Sequence, residues 1–403
     1  MKYPTYKLKI LLLLFLFLFL ELAFSQTNLN YKSNLETSNV KFRSELNSIF
    51  QTAAKNFGIR VNTSTMIYKV VRFRAGSELS ESVKSMIIIN TALEGVENIT
   101  IDKLNKGADI LLTFLQLPEG SELNSGFYRI FVSKDPKGRE QYVAQFIDMN
   151  GKVVLQKPTT IKEVNTASKG VHVRVTVGIK PGKPPTIEID IEIEPKEPPQ
   201  TTRALHIVTS FNLGEKEIQV LPSNEIYKKI LESTNNYIKE VDNTFLQISK
   251  AYKITLEQSW ESLSISDNIF TIYTVFDSVN KLTINDFSKE QDFFLGYLPD
   301  LEDQNIPAGL YKVSLYQKSG NFYAQLQEIS SLSKNIITKT ILKPLADRVI
   351  IEPMPAETKS GFYGGIYFDE KLGKRIIEIN YLIKSFNYTN KGAFIINPKM
   401  DSG

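Results

Sequence analysis

Apolar positions along this chain follow two periods, and the switch from one to the other happens twice. Phe42, Leu46, Ile49, Phe50, Ala53 and Phe57 recur at three- and four-residue spacing, and Gly58 marks a stop. A second stripe of Ile226, Ile230, Tyr237, Val241, Phe245, Ile248 and Tyr252 predicts a longer helix, about eight turns at 3.6 residues per turn. Ser38-Asn39 and Ser223-Asn224, an offset of 185 positions, stand as caps opening these patterns. Beyond each stripe the period falls towards two. Met86–Thr91 and Ile269–Thr274 read as strands, as do Ile110–Leu117 and Phe293–Leu298, with Pro118 and Pro299 after them. Gly138 and Gly320 mark turns into Tyr142-Val143-Ala144-Gln145 and Phe322-Tyr323-Ala324-Gln325. Asn62–Phe73 fits a strand or a helix.

The two passes share words as well as periods. Val96-Glu97-Asn98-Ile99-Thr100-Ile101 recurs as Val279-Asn280-Lys281-Leu282-Thr283-Ile284, an offset of 183 positions. Lys106, Asp109, Leu112 and Leu115 fall on Lys289, Asp292, Leu295 and Leu298, and Ser125–Ile130 falls on Ala308–Val313. A fixed offset held over several words marks tandem units. Each pass closes on a hairpin. Val171–Val177 and Ile187–Glu194 alternate strictly, and pairing residues whose numbers sum to 366 sets Thr176 opposite Asp190, Arg174 opposite Glu192 and His172 opposite Glu194. That register stacks Val175 on Ile191 and Val177 on Ile189, and a one-residue slip would turn charges into the core. Lys371-Leu372-Gly373-Lys374 and Ile377–Asn380 repeat Lys180-Pro181-Gly182-Lys183 and Ile187–Asp190. The expected fold class is α+β, two tandem duplicated domains, each an amphipathic helix with antiparallel β hairpins. Domain 1 spans residues 26–198 and domain 2 residues 199–403; Pro195–Gln200, stiffened by Pro198-Pro199, is the junction.

Residues 1–25 are set apart from this pattern. Lys2, Lys7 and Lys9 precede an apolar run from Ile10 to Leu20, and Ala23-Phe24-Ser25 supplies a small-x-small cleavage site before Gln26. This is the layout of a secretory signal peptide, with a run too short for a comfortable span, so the reading is an exported protein of the periplasm, cell surface or medium. No transmembrane span is expected after cleavage. The chain has no cysteine, which excludes a lipobox anchor and leaves stability to burial, consistent with 42% hydrophobic residues. The net charge of +4 includes +2 from the signal, three Lys less Glu21, and no Lys/Arg block makes a nucleic-acid or polybasic membrane footprint.

Candidate chemistry is sparse. The histidines are His172, read as a cross-strand partner of Glu194, and His206. Catalysis at His172 would need a nucleophile or second base close by, and none is indicated. A zinc site would need four ligands from a chain without cysteine. Glu188, Asp190, Glu192 and Glu194 could face a hard cation, but they lie about 6.6 Å apart along a straight strand, and Arg174 and Lys180 balance two of them. No phosphate-binding loop, dinucleotide fingerprint, nucleophile elbow or HExxH word occurs in its required context, so no cofactor or metal is called for. The aromatics that follow the glycines, Tyr128, Tyr311, Phe362 and Tyr363, are the candidate binding residues, able to stack on a sugar ring or a protein. Phe127 and Tyr128 must point to opposite faces, so one of the two belongs to the core. Trp260 is expected in the core of the second domain.

Two segments resemble known families. Leu342-Lys343-Pro344-Leu345-Ala346-Asp347-Arg348-Val349-Ile350-Ile351-Glu352-Pro353 resembles the opening strand of GroES-type co-chaperonins, and Glu357–Ser360 with Gly364-Gly365-Ile366 is similar to the start of their mobile loop. The resemblance, about 27 residues long, implies docking on a chaperonin ring through Ile366, Tyr367 and Phe368. Asp148–Val154 and Ile306–Tyr311 resemble phrases of the C-terminal sorting domains of Bacteroidota secreted proteins, which implies a β-sandwich style. The leading expectation is a non-enzymatic exported bacterial protein, a surface or periplasmic binding or assembly module whose partner is an envelope glycan or protein. The alternative is an envelope-polymer hydrolase using a carboxylate pair among the 44 acidic residues. A third reading is a chaperonin-interacting protein.

Overall fold

The structure, a computed structural model, describes residues 30–72, 85–135, 141–165, 170–178, 186–194, 203–214, 218–265, 269–278, 284–299, 307–319, 321–329, 340–344, 349–352, 361–369, 374–385 and 388–396. The proposed signal peptide and the Pro195–Gln200 junction lie outside these residues. Helix α1 (Asn30–Asn56) leads into β1 (Val61–Arg72), β2 (Ser85–Leu93), the short helix α2 (Ile101–Lys106), β3 (Ala108–Gln116), β4 (Gly126–Lys134), β5 (Tyr142–Ile147) and β6 (Val153–Asn165). Three further strands, β7 (Gly170–Gly178), β8 (Thr186–Glu194) and β9 (Arg203–Asn212), precede α3 (Glu225–Tyr252). After α3 come β10 (Leu256–Ser264), β11 (Phe270–Phe276), β12 (Gln291–Leu298), β13 (Gly309–Lys318) and β14 (Asn321–Glu328). Finally β15 (Thr340–Pro344), β16 (Val349–Glu352), β17 (Gly361–Asp369), β18 (Lys374–Ser385) and β19 (Tyr388–Ile396) follow. The protein is thus rich in antiparallel strand with few helices.

Strand order runs outward from a seam in the middle of one open antiparallel sheet. On one side of β1 stand β2, β3, β4, β5, β6, β9, β8 and β7; on its other side stand β10, β11, β12, β13, β14 and β15. The remaining strands form a second sheet in the order β16, β19, β18, β17. At the seam β1 pairs antiparallel with β10: Tyr68 faces Ser264, Lys69 faces Leu263 and Val70 faces Ser262. A shift of 194 positions exchanges the two strands, since Tyr68 falls on Ser262 and Val70 on Ser264, with Lys69 and Leu263 at the centre.

The helices obey nearly the same exchange. Alternation along β1 sends Met66, Tyr68 and Val70 to the face covered by α1 and α3, where they join Phe42, Leu46, Phe50, Tyr237, Val241 and Phe245 in one core. Phe42 and Tyr237, 195 positions apart, stack ring on ring with centroids 4.4 Å apart and planes at 7°. Around them the Ser38 hydroxyl donates to Glu240 Oε2 at 2.7 Å, and the Ser233 hydroxyl donates to Glu45 Oε2. Each of these contacts maps onto the other under a shift of 195.

This geometry corrects the helix expectations. Ser38-Asn39 does not open a helix, because α1 already runs from Asn30, with Tyr31 and Leu35 buried ahead of it. Ser38 there reaches Glu240 on α3, and Asn39 accepts from Tyr68 on β1. The helices are 27 and 28 residues, so the second is the longer by a single residue. They correspond at 195, not 185. Asn224 does cap α3, its side chain accepting from the Tyr227 amide at 3.1 Å. Helix α1 hands over through Gly58 at φ 67°, and at the corresponding place α3 ends on Lys253 at φ 53°. Residues 62–72 are strand.

The β3–β4 and β12–β13 ladders can be laid over one another at a shift of 183. Leu112 faces Arg129 and Thr113 faces Tyr128; Leu295 faces Lys312 and Gly296 faces Tyr311. The register shifts between Asp109 and Leu111 in one half and between Asp292 and Phe294 in the other. Lys157 faces Ala144 and Lys343 faces Ala324, so β15 stands to β14 as the first part of β6 stands to β5. The shift is 194 at β1 and 183 from β2 onward, so the chain from β1 to β2 is longer than that from β10 to β11 by eleven residues.

The far face of the first half is covered by its own chain. Strand β6 pairs with β5 at one end and with β9 at the other, which carries β9, β8 and β7 back over the sheet. Ile187, Ile189, Ile191 and Ile193 are buried there against Ile67, Ile88, Leu111 and Leu115. Strand β7 lies against β1 and β2, β17 lies against β10 and β11, and β7 and β17 approach each other. The β7–β8 register differs from expectation: Thr176 faces Glu188, Arg174 faces Asp190 and His172 faces Glu192. Val175 faces Ile189 and Val177 faces Ile187 across the ladder. A two-residue slip keeps every side chain on its face, so alternation fixes parity while the turn fixes the register.

A non-glycine residue in the left-handed region carries a steric cost of roughly 1–2 kcal/mol. Lys253→Gly is therefore expected to stabilise the protein by about 0.5–1 kcal/mol, and Gly58→Ala to destabilise it by a similar amount. Urea denaturation midpoints of the two variants check both signs.

Candidate functional site

The two repeated tyrosines are framework residues. Tyr128 is 5% exposed and Tyr311 1%. Their hydroxyls donate to backbone carbonyls four residues upstream, Asn124 O at 2.6 Å and Pro307 O at 2.8 Å. Burial raises the Tyr128 phenol above its ordinary range, with the neighbouring Tyr227 and Asp148 adding to the effect. The exposed ring that stacking on a ligand would need is absent at both positions. Phe127 is buried too, on the opposite face against Phe50 and Phe114, because β4 is covered on both sides. Next to each tyrosine lies a matching charge pair, Arg129 Nη1 to Asp109 Oδ2 at 3.2 Å and Lys312 Nζ to Asp292 Oδ1 at 2.7 Å.

Other sequence candidates scatter. Phe362 and Tyr363 fall on β17, facing Tyr381 and Asn380 across the ladder to β18; their side chains lie outside the described set. Ile366, Tyr367 and Phe368 continue the same strand. The co-chaperonin-like word is divided between β15 and β16. His172 and His206 both face Glu192 in the backbone ladders, from β7 and β9 respectively, with side chains again outside the described set. Glu188 is exposed on β8, facing Thr176 and Ser210. Trp260 is buried, and its Nε1 donates to Asp242 Oδ1 at 2.6 Å. Among the described residues no group of three His, Cys, Asp or Glu is arranged to hold a metal. No described helix is long and apolar enough to cross a membrane.

The densest polar chemistry lies at the seam, where sequence reading placed nothing. On the helix face the buried Arg43 guanidinium donates to Met66 O at 2.6 Å and to Ser264 Oγ at 3.4 Å, tying α1 to both seam strands. The Tyr68 hydroxyl donates to Asn39 Oδ1, and Tyr237 shares a 2.7 Å hydrogen bond with Ser262 Oγ. Burial pushes the Tyr68 phenol up to about 12 and the Tyr237 phenol well above its usual range. Such phenols hold their protons through the physiological range and serve as fixed donors, not as acid–base catalysts. On the opposite face the Lys69 ammonium lies 2.7 Å from Glu261 Oε1, each side chain 2% exposed. Tyr273 faces Gly296 across the ladder to β12, where an added Cβ would come within 2.6 Å of Tyr273 Cβ. Burial, reinforced by the neighbouring Glu261 carboxylate, raises the Tyr273 phenol well above its ordinary range. A charged residue inside an apolar run, Met66-Ile67-Tyr68-Lys69-Val70-Val71, was the available signal for Lys69. Its meeting with Glu261 needed the pairing of strands almost two hundred residues apart.

No family model, curated protein or solved structure matches this chain.

Two tests follow. Tyr128→Phe and Tyr311→Phe each remove one buried hydrogen bond and should cost about 1 kcal/mol, whereas the alanine variants should cost about 3–5 kcal/mol through lost packing. Chemical denaturation separates the two sizes of effect. For Tyr68, a folded pKa of about 12 above an ordinary 10 means that its contribution is complete below pH 10 and lost as pH climbs towards 12. The loss is on the order of 3 kcal/mol at about 1.4 kcal/mol per unit. Stability measured from pH 8 to 12 should fall less steeply in Tyr68→Phe than in wild type.

Proposed function

We propose that the chain is an exported, non-enzymatic protein made of two tandem copies of one α+β unit, residues 26–198 and 199–403, acting as a surface or periplasmic binding or assembly module. One observation carries the reading. What recurs between the halves is the framework: the tyrosine hydroxyl on a backbone carbonyl, the Asp–Arg or Asp–Lys pair and the register shift beside it. These repeated polar groups are committed to one another, which favours a scaffold over a duplicated reaction centre. The exchange of helices and seam strands under shifts of 195 and 194 supports the two-copy reading.

With Tyr128 and Tyr311 buried, binding falls to Phe362 and Tyr363 on β17, and the partner class is an envelope glycan or an envelope protein. Aromatic rings on a strand suit either, by stacking on a sugar or by filling a protein groove. Export is tested by fractionation and by N-terminal sequencing, with Gln26 expected as the first residue of the mature chain. Binding is tested by titrating the mature protein with cell-wall glycan fragments and envelope extracts. Phe362→Ala and Tyr363→Ala are made singly, because neighbours on a strand face opposite sides; one of the two should weaken capture at least tenfold with its denaturation midpoint near wild type, and wild-type capture by both variants would remove these aromatics from the function. Turnover of a glycan or peptide, abolished by one Asp or Glu substitution, would replace the reading with the hydrolase.

A further inference from the structure

The seam is two-fold in its backbone but not in its charges. Under the shift of 194, Lys69 corresponds to Leu263 and Glu261 to Ile67. The ion pair of Lys69 with Glu261 therefore corresponds to an apolar diagonal of Leu263 with Ile67. On the face away from the helices this ion pair sits where β1 meets β10, under the approach of β7 and β17.

We infer that Lys69 and Glu261 set pairing specificity, directing β1 onto β10 of the same chain and against the like strand of a second copy. Two self-pairings are open to a chain with related seam strands. If β1 paired with β1 of another molecule in this register, Lys69 would face Lys69 directly, with Ile67 on the diagonal. If β10 paired with β10, Leu263 would face Leu263 and two Glu261 carboxylates would enter the core with no lysine across. Like charges directly opposite are unfavourable even on exposed sheets, and burial without a counter-charge raises the cost further. Only the mixed seam places ammonium and carboxylate 2.7 Å apart. A buried ion pair often adds little stability over a well-packed apolar pair, so its effect lies in which partner it rejects. Without it, a sheet edge with backbone groups to pair is an invitation to domain swapping.

This rests on the two-copy reading through the geometry of the seam, and the glycan-binding part of that reading can fail without touching it. The experiment uses the mature full-length chain with Lys69→Leu, Glu261→Ile and both together, which copies the residues of the corresponding positions. Each single variant leaves one charge buried opposite apolar groups and should lower the denaturation midpoint sharply. The double variant should recover it. After refolding at high protein concentration, light scattering on a sizing column should show wild type monomeric and the double variant with a dimer fraction about tenfold higher. Lys69→Cys with Glu261→Ile supplies a second readout, because the chain has no other thiol. Oxidative refolding should yield a disulfide-linked dimer through facing Cys positions at the centre of a β1–β1 seam. A double variant that stays as monomeric as wild type, that no longer folds, or whose introduced thiol stays free overturns the inference.

Discussion

The antiparallel ladder between β1 and β10 is the constraint on which the rest of the molecule depends. It joins strands almost two hundred residues apart in the chain, and every other strand of the large sheet is placed by counting outward from it. Closing a loop of almost two hundred residues costs entropy that grows only slowly with length. That cost is offset by a seam buried on both faces, where the helix pair stacks Phe42 on Tyr237 on one side and the Lys69–Glu261 pair lies on the other.

The seam explains the uneven distribution of polar groups. On the helix side, Arg43 donates to Ser264 and to the carbonyls of Met66 and Ile265, Tyr68 donates to Asn39, and Tyr237 pairs with Ser262. Buried polar groups that find partners act as registration points, since a slip of either strand would strand a guanidinium or a phenol. Away from the seam, the interior of the first half is built from isoleucine and leucine, with Ile187, Ile189, Ile191 and Ile193 meeting the sheet. There the constraint is volume and alternation, which tolerate the two-residue slip by which the β7–β8 register departs from expectation.

Chemistry and architecture are therefore difficult to separate by inspection of repeats. Tyr128 and Tyr311 recur because each closes its strand onto a carbonyl four residues back, and an aromatic that recurs for that reason is withdrawn from solvent. The repeated Asp109–Arg129 and Asp292–Lys312 pairs serve the same strands. Repetition identifies what the framework requires, and a ligand site is better sought where the halves differ.

The sequence by itself determined the local grammar: two amphipathic stripes, the strands with their prolines and glycines, and the words that recur at offset 183, because 3.6- and two-residue periods and turn residues are properties of neighbouring positions. It placed Trp260 in the core and the Asn224 cap correctly for the same reason. It misplaced the correspondence of the helices, since Ser38-Asn39 resembles a cap in isolation and becomes a helix–helix contact only when Glu240 arrives opposite. Burial of Tyr128 and Tyr311, the register of β7 on β8, and the meeting of Lys69 with Glu261 were decided by tertiary structure alone. Each depends on which distant strand or lid covers a face, and covering a face is a property of three-dimensional packing that no local period encodes.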